Sequence, residues 1–170
     1  MEKGIKMAEN KKTKKKKKMA IAVMSGDLDK LFGAFIIATS AAAANMDVTM
    51  FFTFWGLRAL KKKVRTGKSL FGRMMGLMYG GDIHRATPSK MSFFGIGRWM
   101  FKKMMKAKNV ASLPELRHAA LDLGVKFYGC QMSMDVMEIP KESLIDETED
   151  FVGGGFAIQQ AQESSIQLFI

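Results

Sequence analysis

A chain of 170 residues with 48% apolar side chains is long enough for one buried core and too short for two, and that composition excludes a wholly disordered protein. A single cysteine excludes an intramolecular disulfide, so a reduced, cytoplasmic setting is expected rather than a disulfide-stapled secreted fold. The net charge of +11 is unevenly placed: residues 1–18 carry nine lysines against two glutamates, residues 64–109 carry ten Lys or Arg against Asp82, and the remainder is acidic.

Residues 1–18 read as a disordered poly-Lys tail, because blocks of like charge repel and stay solvated. The tail can touch RNA or anionic lipid weakly, but the acidic core argues against a specific nucleic-acid partner. Residues 19–170 read as a single α/β domain. Its first strand is predicted over 19–24 (Met-Ala-Ile-Ala-Val-Met), followed by a turn and N-cap at Ser25-Gly26-Asp27 and a helix over 28–45. A second strand follows over 48–54, β-branched and aromatic, as a buried strand should be.

Between Lys30 and Arg58 the only formal charge is Asp47, so this stretch resembles a membrane span. The turn signal Asn45-Met46-Asp47 would fall in mid-bilayer, where an Asp costs about 2.5–3.5 kcal/mol. A strand–helix–strand unit accounts for all three pieces, and a soluble domain is expected. Trp55-Gly56-Leu57-Arg58 then leads into a short basic helix ending near Lys63.

Residues 64–109 read as a basic insertion holding seven of the sixteen methionines. Helical spacing appears over 73–79 and 96–108. In the second stretch Trp99, Met100, Phe101, Met104 and Met105 oppose Arg98, Lys102, Lys103 and Lys106. Such a face packs on its own domain or a neighbouring subunit, or lies weakly on a membrane surface; self-packing is the expectation.

Ser112 and Pro114 open a helix running to Leu123, with Gly124 as its stop. A third strand over 125–129 ends at Cys130, a helix follows over 132–138, and Pro140 closes it. Phe151-Val152 is a further short strand, Gly153-Gly154-Gly155 leads into a helix ending near Glu163, and 166–170 is an edge strand. The class is therefore three-layer α/β/α, with a parallel sheet of about five strands.

Cys130 is the candidate site. It stands just beyond the carboxyl end of a strand, where α/β proteins place working residues, and at a helix start, where backbone N–H groups favour a thiolate. The alternative is a buried cysteine acting as a small hydrophobe. The support expected is as follows: N–H groups from Gln131 to Met134 facing the sulfur; Gly129 allowing an unusual backbone angle or a close approach; Ser133 capping the helix or donating to sulfur; Asp135 structural. Met132, Met134 and Met137 either line a soft apolar pocket or fill the core. His84 steers an anion or is plain surface, and His118 is structural. No Cys/His spacing calls for a metal, and no cofactor motif is present in the sequence.

Ser25-Gly26-Asp27, Trp55-Gly56-Leu57 and Cys130-Gln131-Met132-Ser133-Met134-Asp135 together resemble the DsrE/DsrF-like sulfur-relay family, specifically its DsrE2-type branch, whose members are often labelled peroxiredoxin-family proteins. The resemblance spans 19–170 and implies a cytoplasmic, homo-oligomeric sulfur carrier of DsrE/DsrF-like fold. It implies that Cys130 takes sulfane sulfur as a persulfide or thiosulfonate and exchanges it with TusA-like or rhodanese-like carrier proteins. With no second cysteine, a peroxidase cycle would need an external thiol. The rival reading is a non-catalytic adaptor of the same fold, recruited to a membrane or a complex through its basic insertion and tail.

Overall fold

The computed structural model describes residues 16–64, 66–78, 81–90 and 96–170. Five strands form one sheet: β1 (Lys18–Val23), β2 (Asp47–Phe52), β3 (Lys126–Cys130), β4 (Thr148–Val152) and β5 (Ile166–Phe169). Their order is β4-β3-β2-β1-β5 and every pairing is parallel. The helices are α1 (Leu28–Ala43), α2 (Leu70–Met78), α3 (Ile96–Ala107), α4 (Leu113–Asp122), α5 (Gln131–Val136) and α6 (Gly154–Glu163), with 3₁₀ turns at Phe54–Leu60, Ile83–Arg85 and Lys141–Ser143. The expected five-stranded parallel α/β architecture is the one observed. The lysine tail lies outside the described residues through position 15, as do Tyr79 and Met91 of the insertion.

The apolar run from 31 to 54 divides as its turn signal requires. Helix α1 ends at Ala43, Asn45 takes a left-handed φ of 61°, and β2 begins at Asp47. Short polar residues tolerate that conformation, which stops the helix within one residue. Among the described residues no helix is long and apolar enough to cross a membrane.

The core lies between the sheet and α1 with α4. Alternation along the strands sends Ile21, Val23, Met50, Phe52 and Phe127 to that side, all buried. Phe35 of α1 meets Phe52 and Phe127 at ring-centroid distances of 6.1 and 5.9 Å, and those two stand edge-on at 5.4 Å. The other side of the sheet carries α6, whose Phe156 packs on Tyr128 at 4.5 Å. No α6 residue is fully buried, so this second layer is thin.

One expectation at a helix end is corrected. Asp27 does occupy the N-cap of α1, but its carboxylate accepts the Ser25 hydroxyl at 3.0 Å and caps nothing. The first helical N–H, of Leu28, goes instead to the Thr87 carbonyl of the insertion at 2.8 Å. Helix α3 packs on its own domain only in part. Arg98 and Lys102 donate inward to the Arg85 and His84 carbonyls, and only Met105 packs on the core. Trp99 is left 64% exposed, beside exposed Met100, Phe101 and Met104.

Candidate functional site

The carboxyl ends of β1 and β2 are knitted together before any reactive group is placed. Gly56 N–H donates to the Met24 carbonyl at 3.1 Å, and Thr53 N–H to Val23 at 3.0 Å. A Cβ on Gly56 would fall on the Val23 carbonyl oxygen, so only glycine lets the 3₁₀ turn lie this close to β1. Phe54, at the head of that turn, is held at φ 45°, a strained backbone for a bulky residue next to the site. Gly26 likewise lies against the Trp55 carbonyl, so the 25–27 and 55–57 turns pack as one frame at the end of β1.

Cys130 ends β3 and is the N-cap residue of α5. Pairing of β2 with β3 sets Phe52 beside Gly129, so Thr53 leaves its strand level with the cysteine. Thr53 Oγ1 and Ser133 Oγ lie 2.8 Å apart and buried. Either hydroxyl can donate to the other, and in both arrangements one proton is left over for the sulfur.

Sγ closes no capping hydrogen bond of the usual kind. The thiol's pKa is nevertheless lowered from its ordinary 9.0. Burial pushes it up; the Ser133 hydroxyl and N–H, the Thr53 hydroxyl and the Met132 N–H together pull it down further. Cys130 is only 3% exposed, so this is a buried thiol in a setting that favours its anion.

The other expected supports separate into those the fold gathers at the sulfur and those it does not. Gly129 acts through close approach, its φ not being positive: a Cβ there would stand 3.0 Å from the Phe151 ring and 3.6 Å from Met134 Sδ. Ser133 is not the cap of α5, since Cys130 holds that position and Ser133 lies in the first turn with its hydroxyl on Thr53. Of the N–H groups from Gln131 to Met134, those of Met132 and Ser133 act on the sulfur. The Gln131 side chain donates to Asp135 at 2.7 Å on the surface, which gives Asp135 a structural partner.

The three methionines take separate places. Met132 is exposed, Met134 belongs to the core, and Met137 lines a separate small pocket with Trp55, Arg58 and Lys61. His84 and His118 are both exposed. Among the described residues no group of three His, Cys, Asp or Glu is placed to hold a metal. Sequence reasoning missed Thr53; its signal was a hydroxyl at the carboxyl end of a strand adjacent to the cysteine's.

The family model described as DsrE/DsrF/DrsH-like matches residues 15–169. The chain is 39% identical over 160 residues to an uncharacterized Bacillus subtilis protein, YrkE, covering 93% of this chain and 99% of that protein. It is 38% identical over 160 residues to the sulfur carrier protein DsrE2 of Allochromatium vinosum, covering 91% of this chain and 98% of that one. The crystal structure of the YchN protein from Escherichia coli superposes with a TM-score of 0.57 at 12% identity, covering 91% of this chain and 99% of the other, a likeness of fold alone.

Proposed function

The chain belongs to the DsrE/DsrF/DrsH-like family, and from that premise we propose that it is a sulfur carrier that holds sulfane sulfur on Cys130. The observation that carries this reading is the buried thiol with a lowered pKa, backed by the Thr53–Ser133 hydroxyl pair and two helix N–H groups. These donors stabilise negative charge on sulfur, which both the attacking thiolate and a terminal persulfide require.

With a persulfide donor, the Cys130 thiolate attacks the outer sulfur. The donor's S–S bond breaks, its thiolate leaves with the electron pair, and Cys130 becomes the persulfide. With tetrathionate, attack on an inner sulfur expels thiosulfate and leaves Cys130 as the S-thiosulfonate. The reverse exchange passes sulfur onward, and small carrier proteins of the TusA or rhodanese kind are the proposed partners. The chain acts as a carrier in a reducing compartment, assembled with copies of itself.

Intact mass after exposure of the reduced protein to polysulfide, and separately to tetrathionate, tests this. Sulfur or thiosulfonate adducts are expected on the wild type and not on Cys130→Ser. A folded, reduced wild type that takes up sulfur from neither reagent overturns the reading.

A further inference from the structure

A second concave site lies away from Cys130. It is a pocket of about 610 Å³ lined by Lys61, Lys62, Lys63, Arg85, Arg117 and His84, with Asp82 its one carboxylate. Lys62 is engaged by Asp146 at 2.6 Å on the rim. Lys61 and Arg117 are placed differently.

Lys61 is 5% exposed, and its ammonium donates to the Thr66 hydroxyl at 3.0 Å. Among the described residues no carboxylate lies within ion-pair distance of it. Burial pushes its pKa down and nearby Arg58 adds to this, with Asp82 opposing. Arg117 is half-buried, with one guanidinium N–H bonded to the Ala59 carbonyl at 2.9 Å. Its pKa is also lowered, by burial first, with Glu147 and Asp82 opposing. Asp82 therefore answers both desolvated cations, and Glu147 adds to Arg117 alone, so burial outweighs the counter-charge at each. Holding charge out of water with too little counter-charge is costly, and an entering anion offsets that cost.

We propose that this pocket binds a small, doubly charged oxoanion of the sulfate, thiosulfate and phosphate class between Lys61 and Arg117. The guanidinium offers a planar fork suited to two oxygens, and Lys61 adds a point charge to the same lining. The exposed Lys63 and Arg85 supply an attractive field at the mouth. The site does not rest on the sulfur-carrier reading, because Cys130 is not part of it and a Cys130→Ser chain should bind the anion unchanged.

The experiment is calorimetric titration of the full chain with sodium sulfate, thiosulfate and phosphate in turn, with chloride at matched ionic strength as reference. Saturable binding of at least one of the three is expected, and tighter thiosulfate than sulfate would mark the pocket as reading sulfane sulfur. Arg117→Gln and Lys61→Met should each weaken binding about tenfold. Lys63→Glu, at an exposed position that leaves packing untouched, should weaken it without altering the melting temperature. Lys103→Met and Lys126→Met, which remove equal charge elsewhere, should leave it as in the wild type. Heats that match chloride, or binding that survives in Lys63→Glu and Arg117→Gln as it would on the lysine tail, overturn the proposal.

Discussion

At the scale of single residues the site is a competition between burial and hydrogen-bond donors at one sulfur, and the donors prevail. Because Cys130 is the one cysteine in the chain, its ionisation can be followed by thiolate ultraviolet absorbance as a difference from Cys130→Ser. The midpoint is expected below the ordinary value of 9.0, and Ser133→Ala should move it upward. A folded pKa below the unfolded one contributes stability that is fully present above pH 9.0 and is lost as pH falls through the folded value. Thr53→Val leaves the buried Ser133 hydroxyl short of a partner and should cost about 1–3 kcal/mol, measured by urea unfolding. Cys130 was legible in sequence because a strand end and a helix start meet there. Thr53 was not, because only the β2–β3 pairing brings it level with the cysteine. For Ser133 the sequence leaves capping and donation to sulfur both open, because local rules cannot show that the cysteine itself holds the capping position.

At the scale of elements, apolar runs and turn residues announced four strands to within about two residues, the usual blur of such boundaries, while β4 begins at Thr148, three residues before the expected Phe151. Helix α3 shows the limit of that method. Periodicity reveals that a helix has two faces, but which face turns inward depends on its neighbours, here the Arg85 and His84 carbonyls. The insertion is moored by carboxylates: Glu138 accepts the Lys68 and Ser69 N–H groups, and Asp29 accepts the N–H and hydroxyl of Ser89. The Ser69 and Lys68 bonds hold the Glu138 pKa below its ordinary 4.5; at Asp29 burial raises the pKa and the Ser89 bonds lower it further, below 3.8. Both moorings are therefore intact at neutral pH and weaken as pH falls through those lowered values. Proteolysis within residues 64–109 should accelerate as pH falls through those lowered values, and Glu138→Gln with Asp29→Asn should reproduce the faster cleavage at neutral pH. Unchanged cleavage in the double variant would place the moorings elsewhere.

At the scale of the molecule, strand order puts β4 and β5 on the two edges and leaves β1, β2 and β3 inside. Charge follows a different map, with the basic surplus outside the sheet in the tail and the insertion. Apolar side chains at the surface collect on α3 and along α6 and β5, where Ile158, Ile166 and Phe169 are exposed. A monomer seldom leaves so much of this kind uncovered. Sedimentation is expected to give a mass above the 19.0 kDa of one chain, and a sedimenting monomer at micromolar concentration would remove self-assembly from the proposal. Composition and pattern made the class and the strand count readable. They could not place the Lys61–Arg117 pocket, which exists only where the end of the 3₁₀ turn, the 82–85 turn, α4 and the segment around Ile145 converge.

The 3% exposure of Cys130 carries a consequence for timing. A reagent cannot collide with a sulfur that is shut away; it must wait for α5 or the 3₁₀ turn to part from the end of β3. Uptake is then clocked by the protein's own opening, and at high donor concentration its rate levels off at the opening rate. Discharge meets the same door from inside. On the sulfur-carrier proposal, a loaded sulfur would leave only when the frame opens toward a recipient, and the same enclosure would shield it from stray thiols.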